Sequence, residues 1–126
     1  MKAVIDTSVL VAADVPTLEG ELAISAASLA ELHFGVLMTA NAAIRAERLR
    51  RLSELQRTFD AFPVDDGVVI SYGQLAAAVA NSGRQPRSRV MDLLIAATAH
   101  AHSARLYTRN ARDLAGIEHL IEIVAV

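Results

Sequence analysis

The sequence predicts an α/β fold: a central, mostly parallel sheet of four to five short strands flanked by helices. Short apolar runs alternate along the chain with longer segments of helical periodicity, which is the pattern of strand–helix–strand units. The length, 126 residues, suits one compact domain that buries most of its apolar surface. No internal repeat, low-complexity stretch or linker interrupts the pattern, so residues 1–126 are read as one domain.

Lys2 to Ile5 reads as a short buried strand, ended by Asp6 and followed by a helix start at Thr7 or Ser8. Pro16 to Gly20 form a loop, and Glu21 to Ser25 a second strand around Leu22 and Ile24. Ser28 is placed as the N-cap of a helix reaching Met38, with Glu31 at N3 completing a capping box. A longer amphipathic helix carries Ile44, Leu49, Leu52, Leu55 and Phe59 on one face and arginines on the other. Phe62 to Val64 is expected as the third strand, and Asp65 or Asp66 caps a helix to Asn81 that stops at Gly83. After a basic loop from Gly83 to Ser88, an apolar helix runs from Val90 to about Ser103. Arg105 to Thr108 are read as the fourth strand, Asn110 to Leu114 as a helical turn and Leu120 to Val124 as the last strand.

Composition narrows the chemistry. The chain has no cysteine, which excludes disulfides and thiolate metal sites and leaves carboxylates or histidines as metal ligands. His100 and His102 point to different helix faces, and His33 and His119 lack neighbours of ligand type, so zinc is disfavoured. The apolar run after Met1-Lys2 is too short for a signal peptide, and no stretch spans a bilayer without charge, so a cytoplasmic location with no membrane association is expected. The net charge of −2 argues against a general nucleic-acid coat protein. Eleven of the twelve basic residues are arginine, and most of them cluster at Arg45/Arg48/Arg50/Arg51, Arg84/Arg87/Arg89 and Arg105/Arg109/Arg112. Guanidinium groups grip phosphates bidentately, so such clusters suit backbone contacts, although the first one equally fits a solvated helix face.

Ligands of open parallel sheets bind beyond the carboxyl ends of the strands. Asp6 follows the first strand and Asp113 lies just past the fourth, while Glu31 and Asp92 stand near helix starts. Asp92 is the most informative, because its helix is apolar nearly all round and a buried carboxylate needs a cation or a hydrogen-bonding network. Each acid also has a plainer explanation. Asp6-Thr7-Ser8 can serve as an N-cap group, Glu31 as the capping-box partner of Ser28, Asp92 as a solvent-facing acid favoured by the helix dipole and Asp113 as an exposed turn residue. Four hard oxygen donors without cysteine favour Mg²⁺ or Mn²⁺.

With these residues in view, the chain resembles the PIN-domain nucleases and, among them, the VapC-like toxins. The stretches that carry the resemblance are Val4-Ile5-Asp6-Thr7-Ser8, Ser28 to Gly35 around Glu31, Asp92 to Ala99, and Leu106 to Leu114 with Asp113. They occur in the family's order and cover nearly the whole chain. The resemblance implies a Mg²⁺- or Mn²⁺-dependent endoribonuclease with Asp6, Glu31 and Asp92 as metal ligands and Asp113 as the fourth acid. Ser8 and Asn110 fall on its secondary polar positions. It also implies an RNA substrate, a homodimer and a cognate antitoxin that occupies the acidic pocket or covers an adjacent groove. Ile44, Leu49, Leu52 and Leu55 are a candidate wall of that groove, with ordinary core packing as the competing account. Arg87, Arg89, Arg109 and Arg112 are the candidate phosphate contacts beside the acids. Two departures stand out: a short segment between Asp6 and Glu31, and Leu114 where the family commonly has an aromatic residue.

Other acid-centred folds fit less well. A receiver-type signalling domain needs a lysine late in the chain, and Lys2 is the only lysine. A haloacid-dehalogenase-like phosphatase needs an aspartate where Ser8 stands. The alternative that survives is a non-catalytic PIN scaffold binding RNA or protein, against which the four intact acids argue.

Overall fold

The computed structural model describes every residue except 13 and 15. Five strands, β1 (Lys2–Ile5), β2 (Glu21–Ser25), β3 (Asp60–Phe62), β4 (Arg105–Thr108) and β5 (Ile123–Ala125), form a sheet in the order β3-β2-β1-β4-β5. Every pairing in it is parallel. The chain therefore builds outward from β1 to β3 on one side, then returns to lay β4 and β5 on the other. The reversal opens a crevice at the carboxyl ends of β1 and β4.

Alternation along β1 assigns the two faces. Val4 packs into the larger core with Leu106 and the helices α4 (Asp66–Asn81) and α5 (Val90–Ala101). Ile5 and Ile24 face the opposite side, joining Val9 from the short helix α1 (Thr7–Leu10), Leu29 from α2 (Ala26–Leu37) and Phe59 just past α3 (Ala42–Thr58). Helix α5 is the most enclosed element, with Leu93, Ile95, Ala96, Ala97 and Ala99 all buried against the sheet and α4. Leu114 is buried as well, so it serves as packing.

Several elements start elsewhere than the sequence suggested. Helix α2 begins three residues early: Ser25 is the N-cap, its hydroxyl accepting from the Ala27 N–H at 3.1 Å, and Ser28 is buried in the first turn. A fully buried Ser25 Oγ also lies 2.9 Å from Thr98 Oγ1 on α5. That cross-link fixes the start of α2, and so favours capping there over Ser28. The third strand sits at Asp60–Phe62 and ends where Pro63, which has no N–H to donate, interrupts the ladder. The last strand is Ile123–Ala125, shorter and later than expected, because Leu120 and Ile121 are used in a turn in which Ile121 packs into the core. The apolar stripe of α3 is also split. Leu52, which is buried, and Leu55 line a cavity between α1, α2 and α3, whereas Ile44 and Leu49 are about half exposed and are not among its lining residues.

The Ser25–Thr98 pair supplies the first test. In Thr98→Val the buried Ser25 hydroxyl loses its partner, a cost of roughly 1–3 kcal/mol. Urea unfolding is expected to show a lower midpoint with an unchanged slope. An unaltered midpoint would mean that the pair does not brace α2 against α5.

Candidate active site

The acids are brought to the crevice by different elements, and three of the four, Asp6, Glu31 and Asp113, are held by bonds to neighbouring side chains. Asp6 ends β1 and caps α1. Its Oδ1 accepts from Ser8 Oγ at 2.5 Å and from the Val9 N–H at 3.3 Å, while its own N–H donates to Tyr107 O at 3.0 Å. Ser8 in turn accepts from the Arg109 N–H at 3.0 Å, which ties the end of β4 to the start of α1. Glu31 projects from α2 and accepts from Thr7 Oγ1 at 2.6 Å, with Ser28 Oγ 3.0 Å from the same hydroxyl. Asp113 lies in the 3-10 turn Ala111–Leu114, where its Oδ1 pairs with Arg89 at 3.1 Å.

Asp92 stands in the first turn of α5, half-buried. Its carboxyl is pushed above the ordinary range, first by burial, then by the negative charges of Glu31 and Asp113 and, more weakly, Asp6; Arg89 acts in the opposite sense. All four carboxylates thus share one electrostatic neighbourhood. Of the plainer readings, the capping-box role of Glu31 is removed by the earlier helix start. The N-cap role of Asp6 is real and coexists with its place at the centre.

Among the described residues, no three His, Asp or Glu side chains converge tightly enough to cage a cation as they stand. Thr7, Ser8 and Arg89 each engage one of the carboxylates. The donor set nevertheless suits a hard divalent cation: every donor is an oxygen, and Asp92 is held above the ordinary carboxyl range by burial first and by its acidic neighbours second. The sequence offered Thr7 as a helix start and a member of the Asp6-Thr7-Ser8 capping group, not as a partner of Glu31. Its position next to Asp6 was visible, but its bond to Glu31 depends on a contact across 24 positions of the chain.

The secondary candidates separate. Ser8 is bonded within the centre. Asn110 contributes through its backbone, donating from N–H to Thr108 Oγ1 at 3.0 Å and accepting from the Asp113 N–H at 2.9 Å. Among the arginines, Arg89 pairs with Asp113 and Arg109 with Asp14 at 2.8 Å, whereas Arg87 and Arg112 are exposed and make no ion pair among the described residues. Arg105, from the same sequence cluster as Arg109 and Arg112, pairs instead with Glu122 on the approach to β5. A cavity of about 360 Å³ opens beside the acids between α1, α2 and α3, with Glu31 in its lining.

Comparison with known proteins gives a consistent result. The sequence model of the PIN domain matches residues 3–119. The chain is 34% identical over 131 aligned positions to Ribonuclease VapC5 of Mycobacterium tuberculosis, covering 98% of this chain and 94% of the relative. It is 35% identical over 99 positions to Ribonuclease VapC8 of the same species, covering 75% and 88%. Among solved structures it is similar to the VapBC-5 toxin–antitoxin system of M. tuberculosis, with TM-score 0.86, 34% identity and coverage of 99% and 98%. FitAcB from Neisseria gonorrhoeae shares the fold at TM-score 0.80 and 22% identity, covering 96% and 95%.

The raised pKa of Asp92 sets a pH dependence. A carboxyl raised in the folded state holds its proton to higher pH than in the unfolded chain, so stability falls as the pH rises from the ordinary value of 3.8 to the folded pKa and the penalty is complete above it. That penalty vanishes as the pH falls below the ordinary value of 3.8, where both states are protonated. In EDTA, Asp92→Asn is expected to melt a few degrees higher than the parent at neutral pH, with the gain shrinking as the pH is lowered toward that value. A variant that melts no higher at neutral pH would contradict the shared negative field.

Proposed function

Because this chain belongs to the PIN-domain family, we propose that it is a Mg²⁺- or Mn²⁺-dependent endoribonuclease, the toxin of a toxin–antitoxin pair, with residues 1–126 as one nuclease domain. The observation that carries the reading is Asp92, half-buried in the field of Glu31, Asp113 and Asp6 at the carboxyl edge of the sheet. Such a concentration of negative charge is costly in a fold that needs nothing from it, and it is what a cation-dependent site requires. Ribonuclease names among relatives at 34% and 35% identity support the RNA substrate.

Asp6, Glu31 and Asp92 would hold the ion, with Asp113 as the fourth acid. When bound, the ion lowers the pKa of a water nucleophile and offsets the charge that develops on the phosphodiester during hydrolysis. The protein's own part is to orient and to compensate. Ser8 and the Val9 N–H fix the rotamer of Asp6, and Thr7 does the same for Glu31. Arg89 pairs with Asp113 and is partly exposed, so an RNA phosphate could replace the Asp113 carboxylate as its partner. Arg87, Arg109 and Arg112 supply further backbone contacts around the crevice.

A cognate antitoxin shields the acidic centre, a reading supported by the toxin–antitoxin complex to which the fold is similar. A homodimer is supported by Phe34, Leu37 and Met38 on α2, exposed at 66%, 71% and 68%, an apolar surface suited to burial against a second copy. Among the described residues no helix is long and apolar enough to cross a membrane. The cytoplasmic location we propose rests on the RNA substrate, not on that observation.

The test is cleavage of total RNA by purified protein with Mg²⁺ or Mn²⁺, beside EDTA and Asp92→Asn controls. Discrete fragments are expected that disappear in EDTA. In Asp92→Asn they should weaken by more than ~100-fold, beyond the roughly 10–100-fold that outer-shell partners of a metal carry. Cutting that persists unchanged in the variant would sink the four-acid site, and bound metal without any cutting would favour a binding scaffold.

A further inference from the structure

The first arginine cluster, on α3, divides into residues with partners and one without. Arg50 is held by Glu47 at 2.6 Å and Glu54 at 2.5 Å. Arg45 donates to Thr39 O at 2.9 Å and Arg48 to Thr39 Oγ1 at 2.8 Å, bracing the turn between α2 and α3. Arg51 has neither an ion pair nor a side-chain hydrogen bond among the described residues, and the glutamate its charge reaches, Glu47, is already bonded to Arg50. Arg51 and Arg48 line the cavity of about 360 Å³ whose lining also includes Glu31, with Leu10, Leu32 and Leu52 among its apolar walls.

The cavity therefore joins three chemistries: a carboxylate belonging to the acidic centre, an aliphatic enclosure, and a guanidinium with its donors unspent. Its volume is at the low end of the roughly 300–1,000 Å³ typical of small-ligand sites, which suits one nucleotide rather than a length of polynucleotide. Resting on the nuclease reading above, we propose that this cavity is a nucleotide subsite next to the cleavage position, in which Arg51 holds the phosphate neighbouring the one that is cut. Charge complementarity selects this occupant. A nucleotide bridging two phosphates would place one anion beside the acidic centre, where Asp6, Glu31 and Asp92 would hold a cation to offset its charge, and the next on Arg51, with the base against the aliphatic walls. Aliphatic walls give contact without stacking, in keeping with a chain that has only 4% aromatic residues. Arg51 is thus a substrate-positioning residue, distinct from the arginines of the crevice, and it acts on binding rather than on the bond-breaking step.

The experiment measures binding of a short mixed-sequence single-stranded RNA by fluorescence anisotropy in Ca²⁺, as a function of salt, and its cleavage in Mg²⁺ or Mn²⁺. The parent is compared with Arg51→Gln, Arg51→Lys and, as a control for charge on α3 outside the cavity, Arg57→Gln. In Arg51→Gln, Kd and KM are expected to rise roughly tenfold, the scale of one lost charge-assisted hydrogen bond, with kcat little changed. The slope of log K against log salt should fall by about one phosphate contact. Arg51→Lys should recover the slope and part of the affinity, and Arg57→Gln should match the parent. If the parent cuts RNA while Arg51→Gln keeps its KM, Kd and salt slope, the subsite is refuted and the nuclease reading stands; loss of antitoxin binding alone in that variant would give the cavity to the protein partner. A parent that binds RNA through Arg51 without ever cutting it refutes the nuclease reading instead. No RNA binding by the parent overturns both.

Discussion

Four carboxylates held at one edge of a small sheet repel one another, and much of the local structure serves to keep them there. Asp92 registers the strain directly: burial and its acidic neighbours both resist its ionisation. A chain selected for stability alone would relax such a cluster by moving or replacing one acid. Here three of the four acids are tied down separately, Asp6 by Ser8, Glu31 by Thr7 and Asp113 by Arg89, while Asp92 is placed by its helix. The rigidity behind those ties comes from α5, packed on the sheet, and from the buried Ser25–Thr98 bond that braces α2 against it.

The topology explains why these particular residues meet. A parallel sheet aligns all its carboxyl ends on one edge, and the reversal of strand order between β1 and β4 parts the connections that leave that edge. Asp6 and the Asp113 turn emerge on the two sides of the parting. Helices α2 and α5 both begin at the same edge, which brings Glu31 and Asp92 over it. The acids lie far apart in the sequence because the βαβ rhythm spaces strand ends widely, while the sheet returns them to one place. Positive charge is distributed around this edge in two layers: arginines already committed to carboxylates, such as Arg89 and Arg109, and arginines such as Arg51 whose donors remain available.

Much of this was legible in the sequence. Lys2–Ile5, Glu21–Ser25 and Arg105–Thr108 were bounded by their apolar runs, and Asp92 stood out as a carboxylate in a helix with no polar face. What local pattern did not reveal was settled by contacts distant in the chain. Ser28 looked a better cap than Ser25 because its capping box is a local signal, whereas the bond from Ser25 to Thr98 spans 73 positions. The β3 and β5 boundaries moved because short edge strands carry few residues with which to declare themselves. The α3 stripe was legible as an apolar face, but periodicity alone did not show that Leu52 and Leu55 line the cavity while Ile44 and Leu49 stay about half exposed. Pairings such as Arg89 with Asp113 were likewise invisible, since a cluster of arginines in sequence does not show which of them are already neutralised.

The central claim is that Asp6, Glu31, Asp92 and Asp113 act as one cation-binding centre. Calorimetric titration of the purified protein with Mn²⁺, repeated on Asp6→Asn and Asp92→Asn, tests it most directly. Saturable binding that is lost or sharply weakened in both variants is the predicted result. Binding of equal strength in the parent and the two variants, or no binding by the parent at all, would contradict it.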